Sequence, residues 1–215
     1  MFGRILLSLL ITPTLIVAAV ADEGALQKGG VELPAELGDS MKAALNPEVI
    51  TVQLDGKPVA HVWLAKETQK AEAVNSELGV SFGAVAEGSL VGVVVFPEQW
   101  SDYKKNPIGV GTYTMRYAVM PADGNHMGVA TFRDFLLLLP PSADSDPSKA
   151  LGLAELLIGS GEATGVVHPG VLALYPIWDE VSEPTLSKND LDQWTLAVKI
   201  GSQILGLVIS GHGEI

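Results

Sequence analysis

The chain has 215 residues, no cysteine and a formal net charge of −12. A chain of this length can bury a core large enough to stand without disulfide staples, and lacking cysteine it must do so. The acidic balance argues against nucleic acid or an anionic membrane surface as partner, since both select for basic patches.

The first 21 residues read as a secretory signal peptide. Arg4 opens them, an apolar run spans Ile5 to Val20, and Ala19-Val20-Ala21 fits the small-x-small cleavage pattern. Cleavage after Ala21 would deliver the protein to the periplasm or the exterior, with no membrane span left in it. That segment holds one Arg and no acid, so the 194 residues after it stand at −13.

Residues 22–47 read as a lead-in, punctuated by Gly29-Gly30 and Pro34, with a short helix over Ala35–Leu45 that Asn46-Pro47 stops. A single domain over residues 48–215 follows. Residues 49–66 alternate in the manner of a hairpin around Asp55-Gly56, a strong turn dipeptide. Glu67–Ala86 reads as a helical turn or a polar loop. The unbroken apolar run Leu90–Phe96 predicts a strand covered on both faces, and Trp100–Asn106 a surface loop.

Two further strands flank a long connection. Tyr113, Met115, Tyr117 and Val119 alternate with Thr112, Thr114, Arg116 and Ala118, the period of a half-buried strand. Phe135–Leu139 is apolar throughout and predicts a central one. Between them, Met120–Ala130 is about eleven residues, where a hairpin needs about two to five. Asp146 as N-cap and Pro147 at the first position predict a helix through Ile158, ended by Gly159-Ser160-Gly161. A strand around Val171–Tyr175, an acidic loop over Asp179–Asp192 and a last hairpin around Gly201-Ser202 complete the chain. About eight strands with one or two short helices and turn-rich connections indicate an all-β fold, an antiparallel β-sandwich of jelly-roll or immunoglobulin-like type.

Several constellations carry chemistry on paper. Asp123, Asn125 and His126 offer oxygen and nitrogen ligands for a divalent metal, zinc or calcium, with Asp134 or His61 joining in space. The same residues also make turns, because Asp-Gly and Asn accept unusual backbone angles. Asp144 and Asp146 form a second calcium candidate beside the helix cap. Gly79-Val80-Ser81-Phe82-Gly83 matches Gly-x-Ser-x-Gly literally, but the strand-before, helix-after context of a nucleophile elbow is missing. His61, His126, His168 and His212 are scattered. Trp63, Trp100, Trp178 and the tyrosines could form a sugar-stacking face, with Trp100 and Trp178 lying in or beside predicted loops.

Gly111-Thr112-Tyr113-Thr114-Met115-Arg116-Tyr117, Asp123-Gly124-Asn125-His126-Met127-Gly128 and Arg133-Asp134-Phe135-Leu136-Leu137 together resemble a block found in a family of secreted bacterial β-sandwich proteins of unknown function. The resemblance covers roughly residues 90–140 and implies a secreted β-sandwich; it carries over no catalytic residue.

Three functional readings follow. The first is a non-enzymatic binding or envelope-associated protein, with a small molecule, carbohydrate or envelope protein as partner. Its expected ligand contacts are Asp123, Asn125, His126, Trp100 and Trp178. The second is a divalent-metal-dependent hydrolase on the 120–130 loop using His126, Asp123 and a distant His, with Asp134 as a further candidate metal ligand. The third is a structural envelope component that assembles by strand addition.

Overall fold

The computed structural model describes residues 23–124, 126, 130–165 and 168–211. The segment read as a signal peptide, Asn125 and His212 therefore lie outside the described residues. Ten strands form one antiparallel sheet: β1 (Gly24–Lys28), β2 (Ile50–Leu54), β3 (Lys57–Leu64), β4 (Leu90–Phe96), β7 (Gly111–Val119), β8 (Asp134–Leu139), β9 (Val171–Tyr175), β12 (Gln203–Ser210), β11 (Trp194–Ile200) and β10 (Thr185–Lys188), in that spatial order. A small separate hairpin, β5 (Trp100–Ser101) with β6 (Pro107–Ile108), is inserted between β4 and β7. Among the described residues two helices decorate the sheet, α1 (Asp39–Ala44) and α2 (Leu153–Thr164).

The all-β, antiparallel expectation agrees with this architecture. A two-sheet sandwich is not confirmed, because the ten strands are linked into one sheet that curls until it is nearly a barrel. Its edges β1 and β10 approach without a backbone ladder among the described residues. Gly24 lies so close to Trp194 and Leu186 that a Cβ there would sit 2.6 Å from the indole ring, and Lys28 forms an ion pair with Glu183, just ahead of β10.

The curl places one side chain in two of each strand in a common interior. Val52, Val62, Val94, Met115, Tyr117, Leu136, Leu174, Leu207 and Val198 belong to it, and Phe82 and Val85 from the 67–88 loop add to it. The outer face has two apolar covers. Under α1, Met41, Leu37 and Leu45 pack on Trp63, Val93 and Leu90. Under α2, Leu156 packs with Leu137, Leu139, Ala118 and Val171. Coverage on both sides explains why β4 and β8 read as apolar runs.

Local differences from the sequence reading have local causes. Residues 24–28 of the lead-in are a strand, paired in register with β2. The 67–88 segment is a loop fastened by an isolated bridge, Lys70 to Val85. The acidic loop contains β10. Helix α2 begins at Leu153 and runs through Gly159-Ser160-Gly161 to a left-handed Gly165. Glycine at 159 does not end the helix but lets it approach β8, since a Cβ there would lie 2.8 Å from Leu139. Asp146, expected as its N-cap, instead accepts hydrogen bonds from the Ser148 amide and hydroxyl.

Candidate functional site

Among the described residues the ladder between β9 and β12 is short. β9 pairs with β12 only at Tyr175–Gly206 and Leu174–Leu207, yet β12 continues to Ser210. The β5–β6 hairpin reaches the gap. Trp100 stacks on Phe96 and donates its indole N–H to the Ile209 carbonyl at 2.7 Å. Asp102, 1% exposed, holds the hairpin turn by accepting the Lys104 and Asn106 amides and the Asn106 side chain. Tyr103, on that turn, lies over the outer face of the sheet, beside Phe135. Burial pushes its hydroxyl pKa up to about 12, with the Asp102 charge adding, so it stays a donor.

Around Tyr103 the outer face carries two adjoining hollows that share Tyr103, Ala130, Phe132 and Ala173. The larger, of about 790 Å³, extends along the β9–β12 opening past Tyr175, Asp190, Asp192, Gln193 and Lys105. Phe132 meets Tyr175 edge-on at 5.3 Å. The smaller, of about 310 Å³, reaches from Met120 and Pro121 to α2; Phe135, Val171, Leu153 and Leu157 line it, as do Lys104, His126 and His168. Leu153 and Leu157 are four residues apart on α2 and remain 38% and 42% exposed, because only the opposite side of the helix packs on β8.

The sequence candidates are distributed unevenly. His126 lines the smaller hollow, and its Nδ1 lies 2.7 Å from Asp123 Oδ1. The Asp123 carboxylate and carbonyl also accept the His126 amide, so the pair forms a local turn. Asp134 lines the same hollow at its buried end, 1% exposed, and its carboxylate is already occupied: it accepts the Ser81 amide at 2.7 Å, the Phe82 amide at 3.1 Å and the Tyr117 hydroxyl at 2.6 Å. Burial first, and this carboxylate second, push the Tyr117 hydroxyl pKa well above its ordinary value. The Gly-x-Ser-x-Gly stretch is thus bound to β8 through its backbone. His61 is elsewhere, on β3, bonded to Thr51 at 2.9 Å. Among the described residues no three His, Asp or Glu side chains gather as a metal site.

Trp100 is committed to the end of β12, whereas Trp178 is 85% exposed. No ring contact joins the two tryptophans among the described residues. Asp144 carries no free ligand capacity, being 3% exposed and gripped by Arg116 through both carboxylate oxygens. Phe132, Phe135 and Leu157 escaped the sequence reading as site residues, and Tyr103 and Tyr175 entered it only among the tyrosines of the sugar-stacking candidate. For Leu157 the signal was its spacing of four from Leu153 on the helix side that turned outward.

Among the described residues no helix is long and apolar enough to cross a membrane. No family model, no curated protein and no solved structure matches the chain.

Proposed function

We propose that this is an exported, non-enzymatic binding protein that holds a small molecule in the outer-face cleft. Export rests on the signal-peptide pattern of the first 21 residues, and the resemblance of residues 90–140 to secreted proteins agrees with it. The nearly closed barrel is read as two facing halves that pack as a β-sandwich would. The observation that carries the binding reading is the continuous concave surface around Tyr103. Its size falls within the range of small-molecule sites, roughly 300–1,000 Å³, and it combines aromatic walls with a few convergent polar groups.

The test is titration of a neutral, environment-sensitive apolar dye. Saturable fluorescence enhancement, weakened in Phe132→Ala and Leu157→Glu, supports the reading; non-saturable or variant-independent signal sinks it. Leu157 is exposed enough that the charged variant should fold.

Two other readings each have one observation in their favour. The His126–Asp123 contact, with His168 on the same hollow, favours a metal-dependent hydrolase. Zinc or calcium retained through dialysis, and lost in His126→Ala, would replace the first reading with this one. The unladdered edges β1 and β10 favour assembly by strand addition. Concentration-dependent self-association in sedimentation would speak for that.

A further inference from the structure

Resting on the ligand-binding reading above, we propose that the larger hollow takes a neutral carbohydrate. A pyranose unit packs on the corner that Phe132 and Tyr175 make and is hydrogen-bonded at the rim by Asp190.

That corner is contiguous in space, although its three residues come from separate parts of the chain. Phe132 lies just ahead of β8, Tyr175 ends β9, and Asp190 is on the turn between β10 and β11. The two rings meet edge-on, with centroids 5.3 Å apart and planes at 81°. The Tyr175 hydroxyl reaches Oδ2 of Asp190 at 3.4 Å, a long bond, and Oδ1 accepts nothing among the described residues. The turn that carries Asp190 is fastened from within. Asn189 Oδ1 accepts the Leu191 and Gln193 amides at 2.9 and 3.0 Å, and Asn189 Nδ2 donates to Gln193 Oε1 at 2.9 Å. The Asn189 amide donates to the Gln193 carbonyl, and the Asp192 amide to the Asn189 carbonyl. The acceptor is therefore placed before a ligand arrives, which lowers the ordering cost of binding.

The chemistry of the lining selects the ligand. An aromatic face carries the negative part of the ring quadrupole, and a pyranose offers it a face of slightly positive C–H groups. Each sugar hydroxyl both donates and accepts, so a carboxylate oxygen and a tyrosine hydroxyl suit it with no change of protonation. Ions of either sign suit it less. The chain stands at −12, yet the charges here are balanced: Asp190 and Asp192 stand with Lys105 in the lining and with Lys188, bonded to Asp192 at 2.8 Å. An alkyl chain suits it less too, because Thr131, Asp190, Asp192 and Gln193 share the lining with the rings.

Saturation-transfer NMR of the purified protein with soluble oligosaccharides tests this. The panel holds neutral oligomers of glucose, galactose, mannose and N-acetylglucosamine, a cationic glucosamine oligomer and an anionic uronic acid oligomer. At least one neutral member should bind with a Kd under about 1 mM, with saturation strongest on the C–H groups of one ring face. Its affinity should not change between about 0.05 and 0.5 M salt, over which charge interactions are progressively screened. Phe132→Ala should weaken it about tenfold, and Asp190→Ala, at an exposed position, several-fold. Asp190→Asn should keep most of the affinity, since an amide still bonds hydroxyls. Tighter binding of the glucosamine oligomer, lost in Asp190→Asn, overturns the neutral assignment in favour of a cation. If no neutral member binds while the neutral dye still responds to Phe132→Ala, the carbohydrate assignment falls and the cleft reading stands. Sugar binding unchanged in both Phe132→Ala and Asp190→Ala, with native circular dichroism, also overturns the assignment. If neither sugar nor dye binds, the binding reading falls as well.

Discussion

Arg116 alternates with Thr114 and Ala118 on β7 as a residue bound for water would, yet its side chain is fully buried. All five of its N–H donors are used. Nε and Nη2 grip the Asp144 carboxylate at 2.7 Å each, Nη2 also donates to the Asp146 carbonyl, and Nη1 donates to the Gly88 and Lys149 carbonyls. Thr114 completes the cluster with a bond to Asp144 at 2.6 Å. Arginine suits this place because its planar fork matches a carboxylate bidentately and stays charged. Asp144→Ala would strand the guanidinium, and urea unfolding should show a loss of about 3–5 kcal/mol; a loss under about 1 kcal/mol would mean that water reaches the site. His61 makes a second case. Burial holds its pKa below the usual 6.5, so the unfolded chain takes up the proton first as pH falls. Its stabilising contribution is therefore present above 6.5 and is lost from there down to its folded value. Glu36, whose pKa the Thr112 hydroxyl lowers, acts in the same direction below its ordinary 4.5. Stability measured against pH should thus fall in two steps on acidification, and His61→Gln should remove the upper one.

At the scale of elements, what was legible followed from period and turn chemistry. Strands β2, β3, β4, β7, β8, β9, β11 and β12 coincide with the predicted ones, and Asp55-Gly56 makes the hairpin turn with both residues at positive φ. The misses are elements whose pattern is too short to speak. β1 and β10, with five and four residues, are fixed by their neighbours rather than by alternation. The β5–β6 hairpin reads as loop because its strands have two residues each; what holds it is Asp102. Asp102→Ala removes three buried or half-buried hydrogen bonds and should cost about 2 kcal/mol. Faster amide exchange in residues 100–108 should accompany it, because the turn rather than the barrel is released. Exchange unchanged there would assign the hairpin's order to Trp100 alone.

At the scale of the molecule the decisive feature is closure. Ten twisted strands curl until β1 meets β10, and side chains rather than a ladder finish the seam, with Trp194 lying over Gly24. Gly24→Val would drive the indole off β1 and should cost about 1–3 kcal/mol, the usual penalty of overpacking. Hydrogen exchange should then rise in residues 24–28 and 185–188 together and stay slow in β4 and β7. A rise confined to one edge would show that the two do not support each other.

Alternation, apolar runs and turn dipeptides lie within a few residues of one another, and so the all-β character and most strand positions were determined by the sequence by itself. They are local consequences of strand geometry and backbone preference. Only the tertiary structure decided that the strands form one nearly closed sheet, that Arg116 lies inside, and that Asp134 is spent on the 79–83 loop. It also decided that Tyr103, Phe132, His126, His168 and Leu157 share a cleft. These residues are separated by tens of positions, and their meeting depends on where β9 leaves β12 and how α2 docks on β8. Both are set by long-range packing, which no window of sequence contains.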